Sequence, residues 1–124
     1  MSDLYRERII DHYRHPRNQG VLGGADISGE EDNPLCGDQV RLDVQLTEGR
    51  VSRASFSGRG CVLSLASASM LTQEIEGKAT EELEALGDED VFRMMDFRPG
   101  PVRAKCALLP LRALQRGLAR LKGR

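Results

Sequence analysis

Val40-Arg41-Leu42-Asp43-Val44-Gln45-Leu46 alternates apolar with charged or amide side chains without a break. A period of two is the pattern of a strand with one face buried. Thr47-Glu48-Gly49-Arg50 reads as a turn, and residues 51–57 read as a second strand. The two form a hairpin, which commits the chain to an antiparallel sheet. Gly58-Arg59-Gly60 is expected to break the second strand. Cys61 then lies at the mouth of a helix reaching about residue 76, with Ser64 as a candidate cap and Gly77 as the stop. Ala66, Ser67, Ala68 and Ser69 are small enough to let that helix pack closely on the sheet.

Farther out the signals are shorter. Thr80 can cap an acidic helix carrying Leu83 and Leu86, and residues 88–95 form a second acidic-capped turn. Phe97-Arg98-Pro99-Gly100-Pro101 reads as a loop. A last helix is expected from Cys106, with Leu111, Leu114, Leu118 and Leu121 on one face and Arg112, Arg116 and Arg120 elsewhere. Gly117 should weaken it by roughly 1 kcal/mol relative to Ala. On the N-terminal side, Ser2 can cap a helix to residue 14 with Leu4, Tyr5, Ile9 and Tyr13 on one stripe. Pro16 ends it by disfavouring helix at His15. The glycine-rich stretch 20–29 has room for a short strand around residues 25–28. The expected architecture is α+β, with residues 1–124 as one domain: a small antiparallel β-sheet, helices packed on one face, and a metal site at one edge.

The composition narrows the function. A chain of 124 residues supports one core, and 40% apolar with 30% charged residues fits a globular domain. A net charge of −1, 4% aromatic residues and no Trp argue against nucleic acid as a partner. No apolar run reaches spanning length, so no membrane is expected, and the chain reads as cytoplasmic. In that compartment three cysteines are thiols rather than disulfides. Residues 74–90 are acidic apart from Lys78, and residues 103–124 are basic without an acid. Two solvated helix faces and a partner-docking surface explain that asymmetry equally well.

Cys36 and Asp38 lie in Asn-Pro-Leu-Cys-Gly-Asp, Cys61 in Gly-Arg-Gly-Cys, and Cys106 in Arg-Ala-Lys-Cys. The hairpin brings the start of its first strand beside the end of its second, and so Cys36, Asp38 and Cys61 to one edge. Cys106 would join them from the start of the last helix. Three thiolates and a carboxylate make a four-ligand site for a thiophilic metal. Helix N-termini at Cys61 and Cys106, with Arg103 and Lys105 nearby, would favour thiolate. Spacing alone leaves a second reading open, in which the cysteines are buried as small hydrophobes. His12 and His15, three apart, could share a helix face, where surface or capping roles are commoner than ligation.

Taken together, Cys-Gly-Asp, Gly-Arg-Gly-Cys with its Ser-Leu-Ala-Ser-Ala-Ser-Met continuation, and Pro-Val-Arg-Ala-Lys-Cys-Ala resemble the IscU/SufU family of iron–sulfur assembly proteins, the NifU N-terminal-like domain. Leu4-Tyr5, Ile9-Ile10-Asp11-His12-Tyr13 and Pro16-Arg17-Asn18 extend the likeness over nearly the whole chain. The resemblance implies an iron–sulfur cluster assembly protein that takes persulfide sulfur from a pyridoxal-phosphate cysteine desulfurase. Apo iron–sulfur proteins or downstream assembly factors would be the recipients. It assigns Cys36, Asp38, Cys61 and Cys106 as ligands of Zn²⁺ or of a transient [2Fe–2S] cluster, with Arg103 and Lys105 in support. Lys105 where the IscU-like scaffold branch has His, and the altered Pro-Gly-Pro-Val-Arg before it, resemble the SufU branch, as does Ala-Ser-Ala-Ser-Met. The extra segment of that branch, between the second and third cysteines, is lacking. A zinc-dependent sulfurtransferase is thus the first reading, with Cys36 as acceptor by likeness to SufU and Cys106 by likeness to IscU. A scaffold that builds a [2Fe–2S] cluster and hands it on is the alternative, and a purely structural zinc protein the third.

Overall fold

A computed structural model describes residues 3–123, the side chains of residues 3–6 excepted. Ser2, and the side chains of Leu4 and Tyr5, lie outside what is described. In chain order the elements are α1 (Asp3–Arg14), β1 (Ile27–Asn33), β2 (Asp38–Thr47), β3 (Arg50–Arg59), α2 (Val62–Glu74), α3 (Thr80–Glu84), α4 (Asp88–Met95) and α5 (Pro101–Lys122). The sheet is antiparallel with β2 in the centre.

The β2–β3 hairpin follows its sequence pattern. Thr47 pairs with Arg50 across a two-residue turn, where Glu48 (φ 54°) and Gly49 (φ 77°) both take positive φ. That is the turn whose twist matches the flanking strands. Val40, Leu42 and Val44 are fully buried on one face, joined by Ala54 and Phe56 from β3. Gly58 and Arg59 continue the strand instead of breaking it. A Cβ on Gly58 would stand 2.0 Å from the Gln39 carbonyl oxygen, so glycine there permits close strand pairing.

β1 runs from residue 27 to 33, later and longer than the expected 25–28. Ile-Ser-Gly-Glu-Glu-Asp-Asn has one large apolar residue, so periodicity hides it. The buried positions on its inner face are Ile27 and Gly29, and α5 lies directly upon them. A Cβ on Gly29 would meet the Ala113 carbonyl oxygen at 1.9 Å and the Gly117 nitrogen at 2.6 Å. Gly117 is therefore the other half of a backbone-to-backbone contact, which outweighs its poor helix propensity.

On the other face, Asp43 was expected outside in the alternation yet is fully buried. Its carboxylate accepts the Ser28 hydroxyl at 2.7 Å, the Leu22 N–H at 3.2 Å and the Arg41 Nε–H at 3.0 Å. These bonds pin the segment before β1 against the sheet and satisfy the buried charge.

Both α2 and α5 pack on the inner face, and α1 packs on α2. Because α2 is enclosed on nearly every side, Ser64, Ser67, Ser69 and Thr72 are all fully buried. Each hydroxyl is bonded: Ser67 donates to the Ala107 carbonyl of α5 at 2.7 Å, and Thr72 donates to Ser69 O at 2.8 Å. Leu111, Leu114 and Leu118 are buried as expected. The acidic and basic segments partly face each other, through Arg112–Asp88 at 2.9 Å and Lys122–Glu84 at 3.3 Å.

Of the expected α1 stripe, Ile9 is buried but Tyr13 is 41% exposed, and His12 takes the inward position. Ser69 Oγ accepts the Arg17 N–H at 2.9 Å and shares a hydrogen bond with His12 Nδ1, 2.8 Å away. His12 is thus buried and hydrogen-bonded away from the Cys36, Asp38 and Cys106 group, while His15 is exposed. Burial first, then the Arg17 and Arg8 charges, hold His12 below its ordinary pKa, with Asp11 opposing. The unfolded chain takes up a proton near about pH 6.5 while the folded chain resists it. Stability is therefore expected to be full above that pH and to decline as pH falls below it. Urea unfolding at pH 7.5 and 5.5 tests this: His12→Gln should flatten the slope, and an unchanged slope would remove His12 as its source.

Candidate metal centre

At one end of the sheet β1 ends, β2 begins and β3 ends, and the expected residues collect there. Asn33 pairs with Asp38, and the four residues between them form a tight connection. The Asn33 carbonyl accepts the N–H of Cys36 at 3.2 Å and of Gly37 at 2.9 Å, while its side-chain Oδ1 accepts Leu35 N–H at 3.2 Å. Gly37 takes φ 73°, which only glycine adopts without strain, and so bends the backbone between Cys36 and Asp38. Asp38 is the first residue of β2 rather than a loop residue.

Cys61 stands at the N-cap of α2 as expected. Its N–H donates to Asp38 Oδ1 at 3.2 Å. Ser64 does not cap the helix; its hydroxyl donates to Asp38 Oδ2 at 3.0 Å. Gly60 makes room for this, since a Cβ there would lie 2.4 Å from Ser64 Oγ and 3.1 Å from Asp38 Cγ.

Cys106 does not start a helix. Gly100 caps α5, Pro101 is its first residue, and Cys106 sits more than a turn inside. Pro99-Gly100-Pro101 looked like a loop, yet proline at the first helical position is a start signal. Cys106 therefore lacks the free N–H groups of a helix end. Burial, then the Cys36 and Cys61 sulfurs beside it, push its thiol well above the ordinary range. Left to itself it stays protonated.

Cys36, Asp38 and Cys106 each offer a ligand atom, all lying within 4.8 Å of one another. Cys36 Sγ and Cys106 Sγ are 3.6 Å apart. A tetrahedral ion with metal–sulfur bonds of about 2.3 Å places two thiolates about 3.8 Å apart, so the spacing and the donor set fit zinc. Cys61 Sγ lies instead 3.5 Å from Ser64 Oγ. Cys36 and Cys61 are exposed and Cys106 is buried. Arg103 and Lys105 are exposed on the first turns of α5, with no carboxylate in ion-pair range among the described residues. Exposed Leu35, Val62 and Val102 lie near the cysteines in sequence, the first two each next to one.

Two residues that spacing did not single out also border Asp38, Ser64 and Gly60. Their only trace in the sequence is a glycine before Cys61 and a hydroxyl three residues after it.

A three-stranded antiparallel sheet with helices on its inner face, and thiols and a carboxylate gathered at one end, is a small α+β domain built around a candidate metal site. The model of the NifU-like N-terminal domain matches residues 4–124, and the chain belongs to that family. It is 39% identical over 140 aligned positions to the zinc-dependent sulfurtransferase SufU of Bacillus subtilis strain 168, covering 99% of this chain and 95% of the relative. To the iron–sulfur cluster assembly scaffold protein IscU of Escherichia coli K12 it is 32% identical, covering 97% and 95%. The crystal structure of an iron–sulfur cluster assembly scaffold protein for the SUF system from Fervidobacterium islandicum AW-1 superposes with a TM-score of 0.77. That pair is 25% identical, with 95% and 99% of the two chains covered. No helix among the described residues is long and apolar enough to cross a membrane.

Proposed function

We propose that this protein serves iron–sulfur cluster assembly as a zinc-binding sulfur acceptor, taking persulfide sulfur from a pyridoxal-phosphate cysteine desulfurase. One observation carries the reading: an exposed Cys36 sulfur 3.6 Å from the buried Cys106 sulfur, with Asp38 in the same cluster. Cys36, Asp38, Cys61 and Cys106 would hold the ion, Cys61 by turning its thiol from Ser64. Zinc supplies positive charge that keeps the thiols deprotonated at neutral pH.

The chain supplies the rest. Cys36 projects from the β1–β2 connection, where a partner's persulfide can reach it. Its thiolate attacks the terminal sulfur of that persulfide, by the chemistry of thiol–disulfide exchange. A new sulfur–sulfur bond forms at Cys36 Sγ, the old one breaks, and the desulfurase cysteine leaves as thiolate. Cys106 is buried where Cys36 is exposed, which disfavours it as first acceptor. Apolar Leu35, Val62 and Val102, with Arg103 and Lys105, give the desulfurase a surface to dock on around the cysteines. Apo iron–sulfur proteins or assembly factors would then receive the sulfur.

The scaffold reading keeps the same residues and makes a [2Fe–2S] cluster their cargo. Asp38 favours it in one respect: an oxygen ligand holds iron less firmly than thiolate and eases release. Desulfurase turnover, followed as alanine release with zinc-loaded and iron-free protein, separates the two. Strong stimulation is the expected result. No stimulation, with cluster accumulating once iron is supplied, would replace the acceptor by the scaffold.

A further inference from the structure

Ser64 has one hydroxyl proton and three acceptors within reach. Asp38 Oδ2 lies at 3.0 Å, the Cys61 carbonyl at 3.2 Å and Cys61 Sγ at 3.5 Å. The carboxylate is both nearest and charged, and charge-assisted bonds are the stronger ones. Ser64 is fully buried and Asp38 is 3% exposed, so water does not compete for this bond. The second Asp38 oxygen is taken by the Cys61 N–H at 3.2 Å. Each oxygen thus spends one lone pair on a donor from the start of α2 and keeps the other. Gly60 closes the pocket so tightly that a Cβ would displace the hydroxyl, at 2.4 Å.

From this arrangement we infer that Ser64 is a positioning residue for the metal centre, fixing the Asp38 carboxylate so that its free lone pairs face the Cys36 and Cys106 sulfurs. The inference rests on the metal-holding reading above. Groups that orient a metal ligand through a hydrogen bond commonly change affinity by about 10- to 100-fold when removed.

The test is zinc affinity by chelator competition on the full chain, with cobalt substitution as a second readout. Ser64→Ala should bind zinc about 10- to 100-fold more weakly. Its metal-free urea midpoint should fall, since a buried carboxylate loses a donor, so affinities are compared under conditions where both metal-free proteins are fully folded. Its cobalt ligand-field bands should shift while the thiolate charge-transfer band persists. Ser64→Thr, which keeps the hydroxyl, should restore most of the affinity. Ser64→Ala binding zinc within threefold of the parent would overturn the inference, as would equal weakening in the Ala and Thr variants. A parent protein that takes up neither zinc nor cobalt would instead defeat the metal reading itself.

Discussion

Alanine at Cys36 is expected to abolish desulfurase stimulation while leaving the domain folded. The side chain is exposed, and the turn that carries it is held by backbone and Asn33 side-chain bonds that do not involve the sulfur. Removing the thiol forfeits only its contact with Cys106, so metal-free stability should move by no more than about 0.5 kcal/mol, as for other surface sites. Sulfur acceptance should fall by at least about 100-fold, because losing a nucleophile removes the step itself rather than easing it less well. Alanine release and the mass of persulfidated protein measure both effects. If Cys36→Ala keeps full stimulation and Cys106→Ala loses it, the acceptor is Cys106. If Cys36→Ala unfolds, the ion is a structural staple and the sulfur chemistry falls with it.

Gly29→Ala should produce the largest loss of stability. The added methyl would sit 1.9 Å from the Ala113 carbonyl oxygen and 2.6 Å from the Gly117 nitrogen, both backbone atoms. No side chain can swing away, so β1 and α5 must separate. Overpacking costs about 1–3 kcal/mol when side chains can adjust, and a backbone clash should reach or exceed the upper end. Gly117→Ala should cost less, since its nearest neighbour is the Ile27 Cγ2 methyl at 2.7 Å, and alanine returns some helix propensity. Urea unfolding measures each, and the double variant should be non-additive because both methyls enter one contact. A Gly29→Ala midpoint equal to that of the parent would refute the close approach. Because α5 also carries Cys106, its displacement should weaken metal binding together with stability.

The β2–β3 hairpin was legible because its apolar residues fall on one face with a period of two, and α4 because its acidic first turn precedes a short apolar run. The same alternation placed Asp43 outside, because a pattern of faces cannot register a loop that folds back to bond it. β1 was misplaced because its inner face is made by a glycine, whose burial depends on a second glycine eighty-eight positions away. The start of α5 was missed at Pro101, and with it the surroundings of Cys106. Of the four ligands expected at one edge, Cys36 and Asp38 lie two apart in the chain and Cys106 joins them. Cys61, which the hairpin was to bring in, has its sulfur beside Ser64 and outside that group. The role of Ser64 was not legible, for a hydroxyl near a helix start looks like a cap until the carboxylate opposite it is known.

The residues gathered at the end of the sheet come from three stretches of chain far apart in sequence, the β1–β2 connection, the start of α2 and the second turn of α5. No fragment short of the folded domain holds them together. An ion bound there stabilises the native state as a whole, by an amount set by its concentration relative to its dissociation constant, and hardly at all any partly folded form. Loading of the proposed ion therefore calls for the folded domain, and chelation should lower the free energy of global unfolding rather than loosen one loop.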